Sequence, residues 1–330
     1  MSPNGIGGRE MRLFRRAFIA IGLSLLWATA VPTAVEAADK EAATQVAAAD
    51  AKAEYAANGE QTCLKCHDKA PATNILHTKH AVKGDARTPF ANHQCESCHG
   101  ASPQHTRKGA EGEKRAPPTV TFGPKASTPV EEQNKVCEGC HENSARISWK
   151  GSQHQFAGVA CVSCHDLHTP RDPVLSKTSQ PEVCFNCHKQ QRAELHKPSH
   201  HPVIEGKVGC AECHNPHGSP TDKLLSGITV NDTCYQCHAE KRGPFLWEHG
   251  PVREDCTICH TPHGSVQPAL LKNRAPFLCQ QCHQIGHHPF GARGDTDLAG
   301  FQPQLVGKAC LNCHQQVHGS NHPSGVRNMR

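Results

Sequence analysis

The stretch "KVGCAECHNPHGSPTDKLLSG", Lys207–Gly227, sets two residues between Cys210 and Cys213, places His214 directly after them, and adds a second histidine, His217, three residues on. "EDCTICHTPHGSVQPALL" repeats the arrangement with Cys256, Cys259, His260 and His263. The C-x-x-C-H core also occurs at Cys63, Cys66 and His67, at Cys95, Cys98 and His99, and at Cys137, Cys140 and His141. It returns at Cys161, Cys164 and His165, at Cys184, Cys187 and His188, and at Cys234, Cys237 and His238. Cys279, Cys282 and His283, then Cys310, Cys313 and His314, complete ten copies that use all 20 cysteines. No thiol is left for a structural disulfide or a catalytic nucleophile.

Zinc, a redox-active dithiol and covalent haem all use cysteines at this spacing. Zinc takes four ligands, so two C-x-x-C units normally share one ion, and nothing in that scheme requires a histidine after every second cysteine. A thioredoxin-like dithiol occurs once, beside a βαβ pattern that is missing here. Haem attachment uses every element: two thioethers to the porphyrin, and the next imidazole on the iron. The sequence therefore predicts ten covalently bound c-type haems.

Four arginines, Arg9, Arg12, Arg15 and Arg16, precede an apolar run from Ala17 to about Val31, and small residues close the segment at Ala37. This is the layout of a secretory signal peptide, too short for a membrane span. Met11 also opens a complete signal of the same kind. Residues 1–37 are expected to be the signal, 38–60 an Ala-rich leader, and 61–330 a decahaem cytochrome domain of repeating two-haem units. Export by the general secretory route to the periplasm follows, because c-type haem is attached after export of an unfolded chain.

About 293 residues follow Ala37, some 29 for each motif, and only 36% of the chain is hydrophobic and 5% aromatic. That is too little for an ordinary core of this length. The predicted fold class is a multihaem cytochrome c with little regular secondary structure, its short helices and loops wrapped round ten closely packed haems in an elongated array. Haems packed so closely make electron hopping the default behaviour. The formal charge of +5 turns negative once two ionised propionates per haem are counted. The basic surplus thus reads as propionate partners, and a nucleic-acid partner is excluded.

Sixteen histidines remain beyond the ten proximal ligands, from a total of 26. The even-numbered motifs are each followed by one, His105, His168, His217, His263 and His318. They are each preceded by another: His80, His154, the pair His200 and His201, His249, and the pair His287 and His288. Five trailing and five leading positions match ten irons, with either member of each pair open. A trailing histidine cannot fold back to the far side of its own haem. The trailing set is therefore expected on neighbouring odd-numbered haems, and the leading set on their own even-numbered haems. His77, His93, His196 and His322 are read as non-ligands.

Odd motifs sit in helix-like segments such as "STPVEEQNKVCEGCHENSARISW", "SQPEVCFNCHKQQRAELHK" and "NDTCYQCHAEKR". Even motifs lie between turn-rich pieces such as "PVIEGKVG" and "NPHGSP". The middle of the chain repeats in two-motif steps, the pattern of small units that bury surface against their neighbours.

"RTPFANHQCESCHG", "TFGPKASTPVEEQNKVC" and the "CHNPHG" units together resemble the periplasmic decahaem cytochromes of the DmsE/MtrA type, over essentially the whole mature chain. The resemblance implies a rod of bis-histidine haems that enters an outer-membrane β-barrel porin. Periplasmic or inner-membrane cytochromes would be the partners on one side. An extracellular multihaem cytochrome, iron or a metal oxide would be the partner on the other, for Fe(II) oxidation or metal reduction. The competing reading is a freely diffusing periplasmic shuttle to a terminal reductase such as a dimethyl sulfoxide reductase. An enzyme would need an iron with an open position, and histidine ends every motif; the chain is expected to be an electron carrier.

Overall fold

The computed structural model describes residues 54–107, 112–283, 310–327 and 329–330. The expected signal peptide, most of the expected leader, and His287 and His288 lie outside these residues. Among the described residues there are short helices and isolated β-bridges but no strand.

One local turn recurs throughout. In every motif the amide of the proximal histidine donates to the carbonyl of the first cysteine, over 2.9–3.1 Å, as from His141 to Cys137 and from His260 to Cys256. This i to i+4 closure winds C-x-x-C-H into a single helical turn, so both sulfurs and the imidazole leave the backbone within one revolution. The helices leading into odd motifs stop within it: Val130–Glu138, Gln180–Phe185, Val230–Tyr235 and Ala275–Gln280. Their starts follow ordinary rules. Glu131 and Glu132 occupy a first turn, and Pro181 and Pro276 occupy N-terminal positions that need no amide. Thr229 caps its helix by accepting from the Asp232 amide.

The polypeptide's own apolar core is small. Phe185, Leu195 and Val203 form the buried cluster, with Val208 and Cys210 against it. Polar residues make up more of the buried set, among them Glu96, Gln133, Asn134, Asn231 and Ser265. Buried polar groups cost stability unless bonded, and these are bonded. Asn134 donates to the Val159 carbonyl and accepts from the Cys161 amide. Asn231 likewise donates to Val252 and accepts from Cys256, and Gln180 joins Val174 to Ala211. Each of these carboxamides clamps an odd-motif helix to the even motif that follows it. The two-motif unit is thus a physical unit.

The end of the Ala-rich stretch is tied to the first unit. Tyr55 stacks on His93 at 3.6 Å between ring centroids. The Ala56 amide donates to Glu96, and buried Glu60 pairs with Lys83.

Candidate haem-binding array

The interior is one continuous cleft of about 5160 Å³, lined by cysteine and histidine side chains of all ten motifs. A small-molecule site occupies about 300–1,000 Å³, so the cleft is sized for many such guests rather than one. Burial pushes the imidazoles of His99, His141, His214, His217, His249 and His318 below their ordinary pKa. That favours the neutral form, the form that binds a metal.

The imidazoles face each other in pairs. His67 stands opposite His105, His99 opposite His168, and His80 opposite His141. His165 stands opposite His217, His154 opposite His188, and His214 opposite His263. The remaining described pairs are His201 with His238, His260 with His318, and His249 with His283. All nine have ring centroids 6.0–6.3 Å apart. Direct ring stacking in the same molecule is far shorter, 3.6 Å for Tyr55 and His93. A metal held between two imidazoles by bonds of about 2 Å each separates the centroids by roughly 6 Å. Each pair joins one proximal histidine to one leading or trailing histidine, and beside each lie the two thiols of a motif, so the donor set fits a c-type haem.

The partnering is not the one expected from the sequence. Only His105 goes to an odd motif among the trailing residues. His168, His217, His263 and His318 face the even motifs of the preceding units, at His99, His165, His214 and His260. The leading residues His80, His154, His201 and His249 reach forward to the odd motifs of the next units, at His141, His188, His238 and His283. Adjacent units therefore exchange two imidazoles across each junction, whereas His105 stays within its own unit. The two leading candidates for the tenth motif, His287 and His288, lie outside the described residues.

A backbone strap explains the exchange. In "NPHG" and "TPHG" the chain after each trailing histidine lies on the preceding unit. A Cβ on Gly218 would stand 2.0 Å from the Ser148 carbonyl oxygen, and one on Gly264 2.0 Å from that of Glu194. The bridge between Ser199 and Ser265 pins the second strap, and that between Trp247 and Ser320 pins the equivalent strap at His318. The residue before the trailing histidine does a second job. The Pro216 carbonyl accepts from Nδ1 of His154 (2.7 Å), and the Pro262 carbonyl accepts from Nδ1 of His201 (2.6 Å). The Val317 backbone also hydrogen-bonds His249. With Nδ1 carrying the proton, Nε2 is the free lone pair that meets the partner.

His200 is not brought to a proximal imidazole. Its Nδ1 bonds to the Lys197 carbonyl at 2.6 Å and its Nε2 meets Glu205 at 3.1 Å, which raises its pKa. Of the His200 and His201 pair, the structure places His201 at a motif.

The motifs adjoin in chain order. First cysteines interact within units: Cys63 with Cys95, Cys137 with Cys161, Cys184 with Cys210, Cys234 with Cys256, and Cys279 with Cys310. Second cysteines interact across junctions: Cys98 with Cys140, Cys164 with Cys187, Cys213 with Cys237, and Cys259 with Cys282. The alternation runs without a break from the first motif to the tenth. Sequence reasoning missed two carboxylates at the array, Asp172 on Nδ1 of His165 and Glu194 on Nδ1 of His263. Neither belongs to a repeated sequence pattern, so only the fold brings them into view.

Known proteins carry the same signatures. The doubled CXXCH motif family matches residues 200–243 and 249–286, and the NrfB-like c-type cytochrome family matches residues 95–180. The chain is similar to the multiheme cytochrome MtrA of Shewanella baltica, with 48% identity over 280 residues, 83% of this chain and 82% of that protein. It is also similar to the cytochrome c-type protein NrfB of Escherichia coli, 33% identical over 194 residues, 55% of this chain and 90% of that protein.

Proposed function

We propose, for a chain that belongs to the MtrA family of multihaem cytochromes, that it carries ten haems and conducts electrons along them in chain order. Covalent c-type haem and a part in electron transfer come with the family and its CXXCH motifs. The number ten, the bis-histidine ligand sets and the route are our reading. A bound c-type haem supplies an iron that accepts and releases one electron. The cysteines would hold each porphyrin through two thioethers. Both imidazoles of a pair would bind its iron, which would keep substrates off the metal and leave electron transfer as the chemistry the haem supplies.

The observation that carries the reading is the unbroken cysteine-to-cysteine adjacency, because attachment points that adjoin bring porphyrin edges together. We place the protein in the periplasm, seated in an outer-membrane β-barrel porin. There it would link periplasmic or inner-membrane cytochromes to an extracellular cytochrome, iron or a metal oxide. A second reading is a freely diffusing periplasmic shuttle, which would use the same array without a porin.

Liposomes separate the two. Reconstituted with a candidate porin, the protein is expected to pass electrons from an external donor to an enclosed acceptor, with neither component sufficient alone. Failure to associate with the porin, together with rapid reduction of a soluble reductase, would favour the shuttle.

A further inference from the structure

The outer nitrogens of the paired imidazoles are not all anchored alike. His99, His214 and His260 are the proximal residues of three even motifs, and their Nδ1 atoms meet the backbone carbonyls of Val120, Lys223 and Ala269 at 3.0, 2.8 and 2.8 Å. In the last two, the carbonyl is aimed by a turn with left-handed residues, Lys223 and Leu224 in one and Ala269 and Leu270 in the other. After His165 the acceptor comes seven residues on instead of nine, and it is a side chain. Asp172 Oδ2 takes the His165 Nδ1 at 2.6 Å, with only 11% of the aspartate side chain exposed. Its other oxygen accepts from the amides of Asp166 and Val174, both at 3.3 Å, so the carboxylate is fixed from both sides.

The trailing residues show a parallel case. Glu194 meets Nδ1 of His263 at 3.2 Å and is itself held by Gln190. It is longer and more exposed, at 24%. Glu240 stands 3.7 Å from Nδ1 of His238 with both side chains more than half exposed, beyond hydrogen-bonding range.

A carboxylate acceptor differs from a carbonyl in two ways. It draws the Nδ1 proton more strongly, which makes Nε2 a more basic ligand. It also brings a full negative charge near the metal in a partly buried site, where screening is weak. Both effects stabilise ferric over ferrous iron.

We propose that Asp172, acting through His165, is a positioning residue that holds the iron of the His165–His217 pair at a lower potential than a backbone carbonyl there would. Glu194 does the same, more weakly, through His263 for the His214–His263 pair. This rests on the ligand reading above. It places two lowered steps at the fourth and sixth motifs, in the middle of the array, where they limit the potential range over which the array conducts.

EPR-monitored redox titration of the intact holoprotein tests it. Asp172→Asn keeps the size of the side chain but removes the charge. It is expected to raise one centre by at least tenfold in its reduction equilibrium, about 59 mV for a one-electron couple, while the others stay. Asp172→Glu should restore part of the shift, and Glu194→Gln should raise a different single centre by less. Unmoved titrations in both neutral variants, with every iron still low-spin, would overturn the proposal and leave the ligand reading intact. So would an equal shift of many centres, which a general loss of charge produces. Stoichiometric high-spin iron in the wild type would overturn the ligand reading and the proposal together. If Asp172→Asn alone turns high-spin, the Glu194→Gln titration decides.

Discussion

Deleting the attachment thiols of one central motif, Cys210→Ala with Cys213→Ala, is expected to slow transmembrane electron transfer by an order of magnitude or more, although only one site in ten is lost. Cys210 adjoins Cys184 and Cys213 adjoins Cys237, so this motif is the link between the fifth and the seventh. Without it one electron step must span two intervals, and tunnelling falls exponentially with distance. The damage should also spread, since His263 then loses the haem it faces across from His214. Rates in porin liposomes, normalised to haem content, give the measurement. A loss merely proportional to haem content would mean parallel routes or independent shuttling.

His217→Met is expected to leave every haem attached and to move a single centre upward. Cys161, Cys164 and His165 remain to hold the haem that His217 faces, at 6.1 Å between ring centroids. The thioether stabilises ferrous iron relative to imidazole, so the potential rises. The shift should be a sizeable fraction of the roughly 0.8 V that axial ligands span. Intact mass checks the haem number, and a redox titration of the same sample finds the displaced centre. That centre should be the one that Asp172→Asn also moves, because Asp172 and His217 act on opposite sides of one iron. An unchanged titration would remove His217 from the ligand set, and with it the strap model that places the other trailing histidines.

The attachment motifs were legible in the sequence because their chemistry is local. Two sulfurs and one imidazole lie within a single turn closed by the His-to-Cys hydrogen bond, and no distant residue alters that geometry. The leading and trailing histidines were legible as a set for a related reason, since each recurs at a fixed place beside the even motifs. Their partners were not. The expectation for leading residues looked within a unit, whereas Pro216, Gly218 and Ser265 lay the strap of one unit on the unit before it. That contact joins segments about 60–70 residues apart, as His154 to Pro216 shows, and a sequence period does not reveal which neighbour a strap touches. Asp172 and Glu194 were invisible for the opposite reason. They stand where other units use a backbone carbonyl, which no side-chain pattern marks.

The exchange of imidazoles also accounts for a small protein core. Phe185, Leu195 and Val203 could not organise some 277 residues, and ordering a chain of that length costs far more than such a cluster returns. Carboxamide clamps hold the three middle units, straps join neighbouring units, and bound haems would supply the missing apolar surface. Electron transfer along the array depends on the imidazole pairs being ligand pairs.

Low-temperature EPR of the fully oxidised holoprotein tests that claim most directly. Irons closed on both sides by histidine are predicted to give low-spin ferric signals that integrate to the whole haem content, with no binding of cyanide by the resting protein. A stoichiometric high-spin signal, or ready cyanide binding, would mean that at least one iron keeps an open position, and would contradict the paired-imidazole account.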